Sequence, residues 1–142
     1  MTDTTINKRY ISYDYFGALA DRMVDKLKDE SFTKVYGPPR GGLPLAVHMA
    51  HHLNLPLVIS EDFLSNMNKW SVNDRLLVVD DIINNGKIIS GLSQLLTIRK
   101  INHFTAVMFY KPHAIFKPDL YMEKTEDWII FPWERADKES GA

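Results

Sequence analysis

The chain has 142 residues, enough for one domain with its own core and too few for two ordinary domains. A composition of 45% hydrophobic and 25% charged residues excludes disordered and collagen-like proteins, and the absence of Cys excludes disulfide scaffolds, thiolate catalysis and cysteine-ligated zinc. The 17 Lys and Arg residues nearly balance the 18 Asp and Glu residues, which removes the general electrostatic case for binding nucleic acid or a membrane surface.

The pattern of apolar residues predicts alternating helices and strands. Spacings of three and four predict an amphipathic helix from Ser12 to Lys28. The elements predicted after it are a strand ending at Gly37, a helix over 43–53, strands over 57–59 and 76–79, a helix over 88–96 and a strand over 104–110. Continuous apolar strands that alternate with helices predict an α/β fold with a Rossmann-like parallel sheet, flanked by helices on both faces.

The most informative segment is a buried strand that delivers Asp80 and Asp81, followed by Gly86 at the start of a helix. The free N–H groups at a helix N-terminus suit a phosphate, whereas carboxylates suit ribose hydroxyls or a hydrated Mg²⁺. A sugar phosphate presents both kinds of partner. The alternative is that the two acids cap a strand end and that Gly86 closes an ordinary turn.

A second turn, Gly37–Leu43, also follows a strand and precedes a helix. Gly41 and Gly42 allow the backbone to approach an anion closely, and Arg40 carries a planar fork of donors that suits phosphate oxygens. This turn is therefore a candidate second anion site. The alternative is a tight turn with a solvent-exposed Arg.

The two turns, in this order, resemble those of the type I phosphoribosyltransferases, and the resemblance covers Val35 to Trp133. Further on, the segments Phe109–Pro112 and Asp127–Glu134 are similar to the Lys-Pro and Trp-Ile…Pro-Trp-acid segments of the small bacterial and archaeal 6-oxopurine enzymes. Those enzymes act on xanthine, guanine or hypoxanthine. The resemblance implies transfer of a phosphoribosyl group from phosphoribosyl pyrophosphate (PRPP) to a purine, with Mg²⁺ bound together with PRPP.

The resemblance also assigns roles to individual residues. Asp80 and Asp81 would hold the ribose hydroxyls, and Asp81 would also hold Mg²⁺, directly or through water. Arg40 and Gly41 would receive pyrophosphate, across a Pro39–Arg40 bond that is cis. The 5′-phosphate would be held by Asn84, Asn85, Gly86, Lys87 and Ile88.

At the purine end, the resemblance assigns Lys111, Trp128 and Ile129 to the base. The Trp128 ring can stack on a flat base, and Lys111 can donate to an exocyclic oxygen. The alternative for Trp128 and Trp133 is that both are core or interface aromatics. The length predicts a single domain spanning 1–142, and the polar segment Met1–Arg9 together with the absence of Cys predicts a cytoplasmic location. The resemblance further implies a small hood over 111–135 and a homo-oligomer, either a dimer or a tetramer.

Three positions near the chemistry depart from the family pattern. Asn84 stands where the 6-oxopurine enzymes carry an Asp proposed as acid or base, while Asn85 and Ile88 replace small hydroxyl residues. The stretch from Ser60 to Asp74, which includes Lys69, is short where relatives have a lid. These departures favour an alternative function, a non-catalytic or weakly catalytic regulatory protein that binds PRPP or a nucleotide.

His48 and His52 share one face of a predicted helix, as metal ligands can. No acid or Cys close to them in the sequence completes a ligand set. We therefore interpret these histidines as a polar or interface face.

Overall fold

A computed structural model describes residues 6–60 and 70–134 of the chain. Its central feature is a five-stranded sheet in the order β3-β2-β4-β5-β6, in which all neighbouring strands are parallel. A second sheet pairs β1 with β7, also in parallel. The elements are β1 (Lys8–Tyr10), α1 (Tyr13–Leu27), β2 (Lys34–Tyr36), α2 (Gly42–His52), β3 (Leu57–Val58), β4 (Arg75–Ile83), α3 (Lys87–Ile98), β5 (Asn102–Tyr110), β6 (Leu120–Lys124) and β7 (Trp128–Ile130).

Helices cover both faces of the five-stranded sheet, as predicted. Side chains alternate between the faces of a strand, so β4 contributes to two separate cores. Leu77 and Val79 pack in one core with α1 and α2, whereas Leu76 and Val78 pack in the other with α3. The continuous apolar run of β4 therefore reflects burial on both faces.

The three predicted helices form within one or two residues of their expected ends. The Ser12 side chain accepts a hydrogen bond from the Tyr15 amide at 3.0 Å and so caps α1. The apolar stripe of α1 is buried against the sheet and α2. No helix in the described ranges combines the length and the apolar character that crossing a membrane requires.

Three strands, β1, β6 and β7, are absent from the sequence prediction. The β1–β7 sheet is fixed to the main body through Arg9, which forms a salt bridge to Glu123 of β6 at 3.1 Å and donates to the Tyr15 hydroxyl of α1 at 2.9 Å. That hydroxyl donates in turn to Glu123 at 2.6 Å. This network sets where β7, and with it Trp128, lies relative to the large sheet.

Strands β2 and β4 are neighbours, and the loops that follow them lead to helices on opposite faces of the sheet. Such a divergence opens a crevice at the carboxyl ends of the two strands. Both turns singled out in the sequence lie at this point.

Candidate functional site

The acidic pair lies at the end of β4. Asp81 is only 6% exposed and Asp80 is half-buried. The Asp81 amide donates to Asp80 Oδ1 at 2.9 Å, and the Ile82 amide donates to Asp81 Oδ1 at 2.7 Å. Burial raises the pKa of both carboxyl groups, and the neighbouring Asp81 charge raises the pKa of Asp80 further. Within the described residues neither carboxylate has a salt-bridge partner.

The loop between β2 and α2 packs directly on these carboxylates. A Cβ atom at Gly41 would lie 2.5 Å from Asp81 Oδ2, and one at Gly42 would lie 3.0 Å from Asp80 Oδ1. A side chain at Gly41 would displace the Asp81 carboxylate, and one at Gly42 would press on Asp80 and on the Val79 carbonyl. The Pro39–Arg40 bond in this loop is cis, as predicted.

The turn before α3 is built around Gly86, which has a φ of 86°. The Asn85 side-chain oxygen accepts from the Lys87 amide at 2.8 Å, so it caps the helix. The Asn85 carbonyl accepts from the Ile115 amide at 2.9 Å, which braces the turn against the loop after β5. Of the Asn85 side chain, the NH₂ group is then left to donate to a ligand. Ile88, in the first helical turn, is 76% exposed.

Lys111 and Trp128 form the opposite wall. The Lys111 ammonium is buried and donates to the carbonyls of Glu126, at 3.2 Å, and Asp127. Burial lowers its pKa, and the negative charges of Asp127 and Glu126 oppose that shift. Lys8 Nζ lies 4.7 Å from the centre of the Trp128 ring, a cation–π contact.

The two Trp residues near the C-terminus have different surroundings. Trp133 stacks on Phe131 at 5.1 Å and meets Phe16 edge to face, also at 5.1 Å, so it belongs to the core. Trp128 instead lines a cavity. The core interpretation is therefore right for Trp133 and does not describe Trp128.

The cavity has a volume of about 750 Å³ and joins the two turns to the Lys111–Trp128 wall. Two candidate residues, Arg40 and Lys87, do not line it, and both are exposed. The candidates that do line it are Gly41, Asp80, Asp81, Asn84, Asn85, Gly86, Ile88, Lys111, Trp128 and Ile129. Lys69 and most of the predicted lid lie outside the described residues.

The cavity wall also includes residues that sequence reasoning did not assign to the site, among them Ile6 and Glu134. Ile6 reaches it because β1 pairs with β7, a pairing that no sequence signal indicates. Glu134 also lines it, and its Oε1 accepts from the Phe131 amide at 2.9 Å. The acid at the end of the Trp-Ile…Pro-Trp-acid segment was a usable signal for Glu134.

No family model and no curated protein matches the sequence. Solved structures do match. A purine phosphoribosyltransferase from Pyrococcus horikoshii superposes with a TM-score of 0.77 at 24% identity, over 92% of this chain and 95% of that one. The xanthine-guanine-hypoxanthine phosphoribosyltransferase of Helicobacter pylori gives 0.77 at 20% identity, over 91% and 93%. The chain has the type I phosphoribosyltransferase fold.

A third structure with the type I phosphoribosyltransferase fold is similar over a still larger part of the chain. It is a hypothetical protein from Neisseria gonorrhoeae with bound ppGpp, and it superposes with a TM-score of 0.76 at 16% identity, over 98% of this chain and 96% of that one. The predicted parallel sheet and its flanking helices are confirmed by these superpositions.

Proposed function

We propose that the chain is a purine phosphoribosyltransferase, which converts a purine base and PRPP to a nucleoside 5′-monophosphate and pyrophosphate. One observation carries the proposal: a single cavity joins a buried acidic pair, a helix N-terminal turn and a Lys–Trp wall. The sugar, its phosphate and a flat base need these three environments side by side. By the same resemblance the protein would act in purine salvage in the cytoplasm, as a dimer or tetramer.

The acidic pair and the α3 turn suit the ribose 5-phosphate half of the substrate. Asp80 and Asp81 offer carboxylate oxygens to the ribose hydroxyls, while the start of α3 offers N–H groups and a partial positive charge to the phosphate. The Lys87 amide is already used by Asn85, so the remaining amides of the turn would carry the phosphate. Ile88 adds no donor of its own.

The Lys111–Trp128 wall suits the purine. Lys111 donates two of its three N–H groups to the carbonyls of Glu126 and Asp127. The third N–H is left to donate to an exocyclic oxygen of the base. With Lys8 on one face of the Trp128 ring, the base would stack on the face toward the cavity. A ring with an exocyclic oxygen, a 6-oxopurine, fits these donors better than adenine.

The donor set at the end of β4 fits Mg²⁺. Burial raises the pKa of both carboxyl groups, so a cation beside them would stabilise their ionised form. Hard oxygen donors such as these are the ligands that Mg²⁺ prefers. Asp81, with Asp80 beside it, would hold the ion directly or through water. When bound, Mg²⁺ supplies charge neutralisation on the diphosphate of PRPP.

In the reaction, a purine ring nitrogen forms a bond to the anomeric carbon while the bond from that carbon to the pyrophosphate oxygen breaks. The proton of the attacking ring nitrogen is released. Asn84 lines the cavity but its amide does not exchange a proton near neutral pH, so its part is a hydrogen bond to the base. Catalysis then rests on positioning the reactants and on stabilising charge.

A second candidate function is a regulatory protein that binds PRPP or a nucleotide without turnover. Asn84 and the exposed Ile88 favour it. Asn84 stands where the 6-oxopurine enzymes carry an Asp proposed as acid or base, and Ile88 stands where relatives carry a small hydroxyl residue. The Neisseria protein of the same fold contains ppGpp, a nucleotide with two phosphorylated ends. Such a ligand could occupy the same cavity.

A radiolabelled-base assay separates the two functions. Adenine, guanine, hypoxanthine and xanthine are each incubated with PRPP, Mg²⁺ and the full chain, and the monophosphate and pyrophosphate are quantified. The transferase function predicts equal amounts of both products from at least one 6-oxopurine, and Asp81→Asn should abolish them. Calorimetric binding of PRPP or ppGpp with no product from any base would establish the regulatory function instead. If the chain bound neither PRPP nor ppGpp and formed no product, both functions would be rejected.

A further inference from the structure

We propose that Asp21, His48 and His52 form a binding site for a divalent transition metal, with Zn²⁺ as the ion that best suits these ligands. The site lies on the surface between α1 and α2. None of its three residues lines the cavity, so it is separate from the proposed active site.

The geometry of the three side chains carries this proposal. His48 and His52 are one turn apart on α2, and their rings stack with centroids 4.1 Å apart and planes 23° from parallel. Asp21 comes from the middle of α1, and its Oδ1 lies 2.9 Å from His48 Nε2. One ligand atom from each of the three residues lies within 4.8 Å of the others.

These separations, between 2.9 and 4.8 Å, span the ligand spacing of a common metal geometry. Ligand atoms that bind zinc tetrahedrally at about 2.0–2.1 Å lie roughly 3.3 Å from one another. From their present spacing of up to 4.8 Å, the three ligand atoms would have to come closer together when an ion binds. Three protein ligands leave the fourth position of the ion open to solvent.

The donor types also favour a transition metal. Two imidazoles and one carboxylate form a ligand set that suits Zn²⁺, Cu²⁺ or Ni²⁺, whereas Mg²⁺ and Ca²⁺ prefer oxygen donors alone. Among the described residues His52 has no hydrogen-bond partner, and its ring contacts that of His48. A ring in that position keeps its nitrogen available for an ion.

Sequence reasoning could not find this site. His48 and His52 were visible as a pair on one helix face, but the third ligand lies on another helix, 27 residues before His48. The packing of α1 beside α2 supplies the acid that the neighbouring sequence lacks.

The test uses the full chain without a polyhistidine tag, freed of metal with a chelator that is then removed. Calorimetric titration with Zn²⁺ should give one ion per chain. His52→Ala should weaken binding by more than the roughly 10- to 100-fold that loss of an outer-shell partner costs. His51→Ala is the matched control, because His51 is exposed on the same last turn of α2 and belongs to no metal-binding group among the described residues.

NMR of the histidine side chains locates the ion and serves as a check on folding. Stoichiometric Zn²⁺ should change the ring signals of His48 and His52 and leave those of His51, His103 and His113 in place, and Asp21→Asn should weaken binding while the backbone spectrum stays native. Three outcomes would overturn the site: no Zn²⁺ binding, equal weakening by His51→Ala and His52→Ala, or changes confined to other histidines. In each case the three residues would form only an ion pair and a ring stack.

Discussion

At the scale of single residues, the proposed function makes Asn84 the position where an amide stands in place of a candidate acid or base. It lines the cavity where an acid or base would act on the purine. We expect Asn84→Asp to raise kcat/KM on 6-oxopurines at least about tenfold, within the roughly 10²- to 10⁴-fold that general acid–base catalysis contributes. Steady-state kinetics with guanine, hypoxanthine and xanthine measure this. Asn85→Asp is the control, since it adds the same charge one residue further along the turn.

If the Asn84→Asp enzyme were no faster, or if Asn85→Asp accelerated the reaction equally, the side chain at this position would have no role in proton transfer.

Trp128 and Trp133 give a second prediction at this scale, because the two rings have different surroundings. Trp128→Ala removes the stacking surface for the base, so KM for the purine should rise by roughly 5- to 150-fold, the equivalent of about 1–3 kcal/mol. Trp133→Ala removes a ring that packs on Phe131 and Phe16, so the free energy of unfolding should fall by about 3 kcal/mol. Kinetics and urea denaturation of both variants test the contrast, and the reverse pattern would contradict it.

At the scale of elements, the proposed function places the 5′-phosphate at the first turn of α3, where Ile88 is an apolar residue. Ile88 is 76% exposed, so Ile88→Thr should leave stability within about 0.5 kcal/mol. The added hydroxyl can donate to a phosphate, and a hydrogen bond to a charged group contributes about 1.5–3 kcal/mol, roughly a tenfold or greater gain in PRPP affinity.

Calorimetry with PRPP measures the affinity of the Ile88→Thr variant. Ile98→Thr is the matched control, because Ile98 is 74% exposed at the opposite end of the same helix. The prediction would be wrong if both variants bound PRPP with the affinity of the unmodified chain.

The elements that sequence reasoning predicted are those with a periodic signal of their own. Helix α1 has a long apolar stripe, and β4 has a continuous buried run. Strands β1 and β7 have three residues each and exist because they pair with each other from opposite ends of the chain. A run that short carries no local signal, so its structure depends on a contact that only the folded chain provides.

At the scale of the whole molecule, most of the candidate site was predictable because it is built from two continuous turns. The order of Asp80, Asp81 and Gly86 after a buried strand, and of Gly41 and Gly42 after another, fixes their place at neighbouring strand ends. Arg40 follows the same strand end, but its side chain is exposed and does not line the cavity, so its contact with pyrophosphate stays a prediction.

The two acids at the end of β4 make the stability of the whole molecule depend on pH. Asp80 has a folded-state pKa well above the ordinary value of 3.8, because it is buried and lies beside Asp81. Between these two values the folded chain holds a proton that the unfolded chain has released, so stability falls as pH rises. Asp74 has the opposite sign: Lys34 and the Ser71 amide lower its pKa to about 2, and the stability it adds is lost as pH falls through that value.

Asp80→Asn removes the titrating group and keeps the oxygen that accepts from the Asp81 amide. We expect the Tm of this variant to be close to that of the unmodified chain near pH 4. As pH rises through the folded-state pKa of Asp80, the Tm of the variant should exceed that of the unmodified chain by a growing amount. Scanning calorimetry across that range measures it, with Asp25→Asn, whose side chain is 74% exposed, as the control for losing a surface charge. A constant offset for Asp80→Asn would mean that the pKa of this carboxyl is the same in the folded and the unfolded chain. In that case protons would compete with Mg²⁺ for the candidate cation site only near the ordinary carboxyl pKa of 3.8, and the affinity for Mg²⁺ would not rise with pH above that range.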